Sequence, residues 1–283
     1  MATVPISTSP PYTHPVELWK LVLPFEAGKP GRDPSRQEAS HPHQTVYNPL
    51  NTTEKELLVP DLGSDKIWRL AKGSDGHWAI QDFISTETGG GPRHVATHGM
   101  QTSWRAVSRK ANSSHEENML YILLELTSEL AVYKFHSGLR PLTHLTTLST
   151  LKESPTPSGM KAAEILIPEP NRSFPTAYIY TSNRDDPHPE GDTIAIFSLE
   201  KGVEHPELVT EVRTGLRHIR GMVFGGEDAK WLAVGGAGSE DKRVGGGGIK
   251  IYERVERGKG LRQVAELDST VGSKLRATAF LWF

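Results

Sequence analysis

Arginines, a glutamate and histidines are side chains of this chain that could do chemistry together, His43, Arg93, Glu125 and Arg184 among them. A planar guanidinium keeps its charge and grips a carboxylate or phosphate through two parallel hydrogen bonds. An imidazole or a carboxylate beside it can carry a proton. Such a set suits the opening or closing of an ester-like ring. The arginine stabilises an oxyanion or enolate while a histidine or glutamate transfers the proton, and no covalent nucleophile is required. His94 and Arg220 extend the set as substrate-binding residues, beside Arg93 and Arg184. These residues lie far apart in sequence, so the fold must bring them together.

The elements that could do so recur four times, in copies opening near His43, Arg93, Ala162 and Arg217. Each copy begins with an inner strand and continues with a β-rich second one: ELLVP, MLYILLEL, AYIYTSN and KWLAVGG. The third strand alternates most clearly, in KIWRL, ELAVYKF, DTIAIFSL and GIKIYERV. A weaker fourth (HWAIQDF, LTHLTTLS, ELVTEVR, LRQVAEL) suits an exposed outer edge. Periods of about 40 to 65 residues with four short strands each are the mark of β-propeller blades around a central channel. The first strand of a blade starts where the second one ends, because neighbours in the blade run antiparallel. The polar residues named above, together with Asp61 and Asp65, fall at those two places and predict one lined channel mouth.

Residues 1–15, rich in Pro, Ser and Thr, read as extended or disordered, and 16–283 as a single propeller domain. A strand is expected in VELWKLVLPF from Val16, a loop in AGKPGRDPSRQEAS, and the inner strand of a further blade in LRATAFLWF at the end. The expected fold is therefore all-β: four complete four-stranded antiparallel blades plus a partial one. The two loose ends are candidates to pair and close it.

Composition narrows the partners. With 32 Lys and Arg against 34 Asp and Glu, scattered rather than clustered, the net charge of −2 offers no footprint for nucleic acid or an anionic membrane. No run approaches the roughly 18 apolar residues that span a bilayer, and MATVPISTSPPYTHP has neither a charged nor an apolar leader region. The absence of cysteine removes disulfides and thiol chemistry and fits a reducing compartment. The expected location is cytoplasmic, so the N-x-[ST] matches at Asn51, Asn112 and Asn171 read as polar loop residues. The expected partner is a small anionic metabolite such as a lactone, a carboxylate or a sugar phosphate.

Six motifs stand in order along the chain: HPHQ at 41–44, VPDLGSDKI at 59–67, GGGPRH at 89–94, LLEL at 123–126, AAEI at 162–165 and TSNR at 181–184. In this the sequence resembles the lactonase family of seven-bladed propellers, over nearly its whole length. The resemblance implies a lactone-processing enzyme, working by hydrolysis or by lactonizing cycloisomerisation, with no cofactor and no metal. It implies that the family's site matches His43, Arg93, Glu125 and Arg184. It also implies roughly two further blades, of about 40 to 50 residues each, ahead of HPHQ, where this chain has only forty residues.

Plainer readings stand beside these. His43 can be a hydrogen-bonded core histidine, Arg93 and Arg184 loop residues paired with acids, and Glu125 half of a structural salt bridge. Asp61 and Asp65 read as turn residues. His94 and His98 share a strand face as possible metal ligands but lack a third. DDPHPEGD at 185–192 reads as a solvated insertion, and GSEDKRVGGGG from Gly238 as a hairpin over the mouth rather than a phosphate loop, since it lacks GK[ST]. No G-x-S-x-G elbow is present. A non-catalytic propeller binding module and a divergent paralogue in secondary metabolism remain the alternatives to the enzyme.

Overall fold

The computed structural model describes residues 2–3, 19–26, 31–51, 55–99, 118–135, 142–152, 159–238 and 246–268. The chain divides into two compact units, Met1–Gly91 and Pro92–Phe283.

In the first unit β1 (Ala2–Thr3) pairs antiparallel with β2 (Trp19–Lys20). A four-stranded antiparallel sheet follows, in the order β3 (Val46–Tyr47), β4 (Glu56–Asp61), β5 (Lys66–Lys72) and β6 (Trp78–Ser85). The strand expected from Val16 is shorter than its sequence pattern, for among its described residues only Trp19–Lys20 is strand. Pro24 has no N–H for a ladder, and Leu23 instead packs with Val59, Trp68 and Leu70 in a small core. Asp61 and Asp65 are indeed turn residues. The Asp61 carboxylate accepts from His41 N at 2.6 Å, Gly63 N at 3.2 Å and Trp68 Nε1 at 3.0 Å. Asp65, left-handed at φ 51°, accepts from Gly89 N and Gly91 N at 2.8 and 2.9 Å.

The second unit holds three sheets of the same kind, each in sequential antiparallel order. They are β7 (Pro92–His98), β8 (Asn118–Leu124), β9 (Glu129–Phe135) and β10 (Leu142–Ser149); then β11 (Lys161–Leu166), β12 (Tyr178–Arg184), β13 (Thr193–Ser198) and β14 (Glu207–Arg213). The third comprises β15 (Ile219–Gly225), β16 (Trp231–Ala237), β17 (Gly247–Val255) and β18 (Gly260–Asp268). The expected third and fourth strands fall where the alternation put them. The middle strands β12 and β13 are buried along their whole length, because neighbouring sheets cover both faces. Two apolar clusters result, one around Tyr121, Leu123, Ile179 and Phe197, the other around Tyr180, Ile196, Ile219 and Leu232. Each such side chain contributes about 1.5–3 kcal/mol of burial. The terminal LRATAFLWF and residues 239–245 of GSEDKRVGGGG, where a hairpin is expected, lie outside the described residues.

The inner strand β11 lies against both β7 and β15, so the inner strands of this unit are neighbours. Their registers share an irregularity. Pro92 pairs with Leu124 and His94 with Leu123, leaving Arg93 as an extra residue. Ala162 pairs with Asn183 and Ile165 with Thr181, so Ala163 and Glu164 share one partner position. Ile219 pairs with Gly236 and Gly221 with Gly235, leaving Arg220 over. A β-bulge bends its strand and re-aims the extra side chain. Here three bulges, one near the start of each inner strand, carry Arg93, Glu164 and Arg220.

Candidate active site

Glu125, one residue beyond β8 and fully buried, is the centre of the cluster these elements build. Its Oε1 accepts from Arg184 Nη2 at 2.6 Å. Its Oε2 lies 3.0 Å from Arg93 Nε, an ionic contact without the alignment of a hydrogen bond. Both arginines are almost wholly buried, at 4% exposure, which is how the cost of burying Glu125 is met. The bulge delivers Arg93 to this place and the last residue of β12 delivers Arg184. The remainder of TSNR is framework: Asn183 bonds to Thr150 and Thr193, and Ser182 Oγ takes the N–H of Glu164.

Each arginine also holds a histidine that rests on a carboxylate. Arg93 Nη1 lies 2.9 Å from His94 Nε2, and His94 Nδ1 lies 3.2 Å from Glu164 Oε2. Arg184 Nη1 lies 3.2 Å from His218 Nε2, and His218 Nδ1 lies 2.8 Å from Asp185 Oδ1. Arg93 Nη1 makes two further contacts, to Ala163 O at 2.6 Å and Glu164 Oε1 at 3.1 Å. The second unit thus contains two arginine–histidine–carboxylate arrays that meet at Glu125.

Burial pushes the Arg184 guanidinium below its usual pKa; Glu125 and Asp185 oppose the shift, and Arg220 and Arg93 add to it. Two further guanidiniums therefore act on Arg184 here, although Arg220 is only half-buried. The Arg184 Nε–H is buried and has no hydrogen-bond partner among the described residues. Burial would raise Asp185, but the His218 hydrogen bond and the Arg184 and Lys161 charges outweigh it and hold the carboxyl below its usual range. This arrangement can bind an oxygen anion, stabilise developing negative charge and take up a proton.

The expected residues Arg93, His94, Glu125 and Arg184 are thus together in the second unit, with Arg220 acting on Arg184 by charge. His43 belongs to the first unit, where its N–H donates to Pro60 O at 3.2 Å on the inner edge of the sheet. Glu164, Asp185 and His218 escape the sequence reading. AAEI contains Glu164, and RHIRG opens the fourth copy with His218, but nothing in their spacing signals bulges or contacts between sheets. DDPHPEGD is not simply a solvated insertion. At its tip Glu190 is exposed and His188 half-buried, whereas Asp186 and Asp192 are buried and Arg213 and Arg217 clamp the loop. Among the described residues no three His, Asp or Glu side chains are placed to hold a metal, and no helix is long and apolar enough to cross a membrane.

Comparison with known proteins agrees with this architecture. A model of the lactonase family, described as a 7-bladed β-propeller, matches residues 15–265. A protein of Arthroderma benhamiae named "Probable 6-phosphogluconolactonase" is 28% identical over 224 residues, 78% of this chain and 50% of that protein. The chain spans about half the length of the curated relatives it matches. Among solved structures, the periplasmic gluconolactonase of Pseudomonas aeruginosa superposes with a TM-score of 0.65 at 17% identity, over 94% of this chain and 63% of that one. A Lactobacillus plantarum protein does so at 0.61 and 22%, over 83% and 57%. At these identities the two structures support the fold alone.

Proposed function

The chain belongs to the lactonase family of seven-bladed β-propellers, and from that premise we propose that it hydrolyses the ring ester of a small lactone bearing an anionic group, such as a sugar-phosphate lactone. The observation that carries this reading is the buried Arg93–Glu125–Arg184 cluster with one guanidinium donor unspent. A buried N–H without a partner costs about 1–3 kcal/mol, so a ligand oxygen that fills the position recovers that cost. In the low-dielectric site such a donor favours the oxyanion of the tetrahedral intermediate over the neutral carbonyl.

The residues divide the work by their surroundings. Arg184 faces the oxygen that gains charge, and Arg93, with Arg220 at the edge, favours the anionic substituent. Glu125, held between two guanidiniums, positions both of them. Water is the nucleophile and needs a neighbouring base.

The test is hydrolysis of 6-phosphogluconolactone by the full chain, followed as acid release at constant pH. Arg184→Ala should lower kcat/KM by about 10²–10³-fold, the usual loss on removing one oxyanion donor. Arg184→Lys, which keeps the charge but not the fork, should fall between that variant and the wild type. A wild-type rate no faster than the uncatalysed one, across sugar-phosphate and carboxylated lactones, would sink the reading.

A further inference from the structure

The two arrays meeting at Glu125 are not equivalent, and the difference identifies a proton-transfer group. A guanidinium can only donate, so the 3.2 Å contact of Arg184 Nη1 with His218 Nε2 requires a bare lone pair on Nε2. The ring proton then sits on Nδ1 and is donated to Asp185 Oδ1 at 2.8 Å. That is a neutral imidazole with its tautomer fixed by a carboxylate and its basic nitrogen turned to the arginine. His94 is held less cleanly, because Arg93 Nη1 approaches both of its ring nitrogens, at 2.9 and 3.5 Å, and so lies along the ring edge. The His218 side chain is also 30% exposed against 14% for His94, so a water can reach it.

The backbone points the same way. Asp185 and His218 both adopt the left-handed region, at φ 62° and 57°, which costs a non-glycine residue on the order of 1 kcal/mol or more. The surroundings hold them there. His218 O accepts from Ala237 N at 3.2 Å, and the Arg217 side chain grips the carbonyl groups of Asp186 and His188. Two neighbouring strained residues that meet through their side chains, beside a buried arginine, mark a site kept for use.

We propose that His218 is the base that activates the hydrolytic water, with Asp185 as its positioning residue; this rests on the lactone-hydrolysis reading above. The substrate carbonyl oxygen takes the unpartnered Arg184 Nε–H and draws the guanidinium onto itself, and as Nη1 leaves His218 a water hydrogen-bonds to the freed Nε2. As the water oxygen bonds to the carbonyl carbon, its proton passes to Nε2 and the carbonyl electron pair becomes the oxyanion. Collapse of that oxyanion breaks the ring C–O bond, and the departing ring oxygen takes the proton back from Nε2. The sum is lactone plus water to hydroxy acid, with His218 returned to its starting state.

The experiment compares wild type, His218→Asn, Asp185→Asn and Arg184→Lys in 6-phosphogluconolactone hydrolysis, with 6-phosphogluconate binding measured by calorimetry. Asparagine tolerates the left-handed region, so the first two variants keep the backbone. His218→Asn should lower kcat about 10²–10⁴-fold, the usual range for a general base, while 6-phosphogluconate affinity stays within about threefold. Asp185→Asn should lower kcat with KM little changed. It should also shift the His218 ¹⁵N resonances from the Nδ1–H pattern toward a tautomer mixture, which a merely structural role would not do. Full kcat in His218→Asn, alongside a loss in Arg184→Lys, would overturn this assignment and leave the lactonase reading standing. A wild-type His218 protonated on Nε2 would overturn it whatever the variants do. Failure of the wild type to hydrolyse any lactone would overturn both.

Discussion

A carboxylate buried between two guanidiniums makes Glu125 the residue on which the others depend. Its charge offsets the mutual repulsion of Arg93 and Arg184, which are each almost entirely out of water. Glu125→Gln is a near-isosteric change that leaves two cations facing one neutral amide. Breaking a buried ion pair from one side typically costs about 3–5 kcal/mol, so the urea midpoint of this variant should fall by that equivalent. An unchanged midpoint would mean that the two arginines are held by something other than Glu125. Asp192 makes a second residue-scale prediction. Burial pushes its carboxyl up to about 6, against backbone hydrogen bonds from Asp186 and Ile219 that pull it down. Between the ordinary aspartate pKa and about 6 the folded protein binds more protons there than the unfolded chain, so this group's contribution to stability falls as pH rises through that window. Asp192→Asn does not titrate. The Tm advantage of wild type over this variant should therefore shrink from pH 4 to 7, and a gap that widened would contradict the raised pKa.

At the scale of elements, the strands place the site coarsely and the irregularities place it finely. Alternation is clearest in the third strand of every copy and weaker in the fourth; the third strands β5, β9 and β13 are largely buried, and the fourth strands β6, β10 and β14 are wetter. The rule that a first strand starts where the second ends places Arg93, Glu125 and Arg184 on one rim. Bulges leave no such trace. Nothing in PRH, AAEIL or HIRG tells an observer that one residue stands outside the ladder, so Glu164 went unnoticed as a site residue. Asp185 and His218 were missed for a related reason: they belong to different sheets, and contacts between sheets have no sequence period. The loop that carries Asp185 depends on Gly191, which sits at φ 83°, where a Cβ would come within 2.5 Å of Leu216 O. Gly191→Ala should therefore destabilise the protein by on the order of 1–3 kcal/mol through strain and collision. It should also lower kcat by displacing Asp185. Loss of stability at full kcat would separate the loop from the site.

At the scale of the molecule, a slightly acidic chain of net charge −2 presents a concentrated group of guanidiniums in one of its two units. Long-range steering of anions is therefore weak, and selectivity has to come from the buried donors themselves. Local interactions of this kind are screened less by salt than surface charges, whose fields fade over about 10 Å at 0.1 M ionic strength. Ligands should consequently divide by charge and by their ability to take a forked donor, and the division should outlast moderate salt. A ligand at 100 times its Kd adds about 2.7 kcal/mol to folding, which for a domain of this order of size is a Tm rise of roughly 5–10 °C. 6-Phosphogluconate should produce such a rise and keep most of it in 0.3 M salt. Neutral gluconolactone at the same concentration should produce much less, and Arg184→Ala should lose the 6-phosphogluconate response while His218→Asn keeps it. Equal shifts from the neutral and anionic ligands would remove the arginines from recognition. A shift that vanished in moderate salt would move recognition from the buried cluster to the exposed surface.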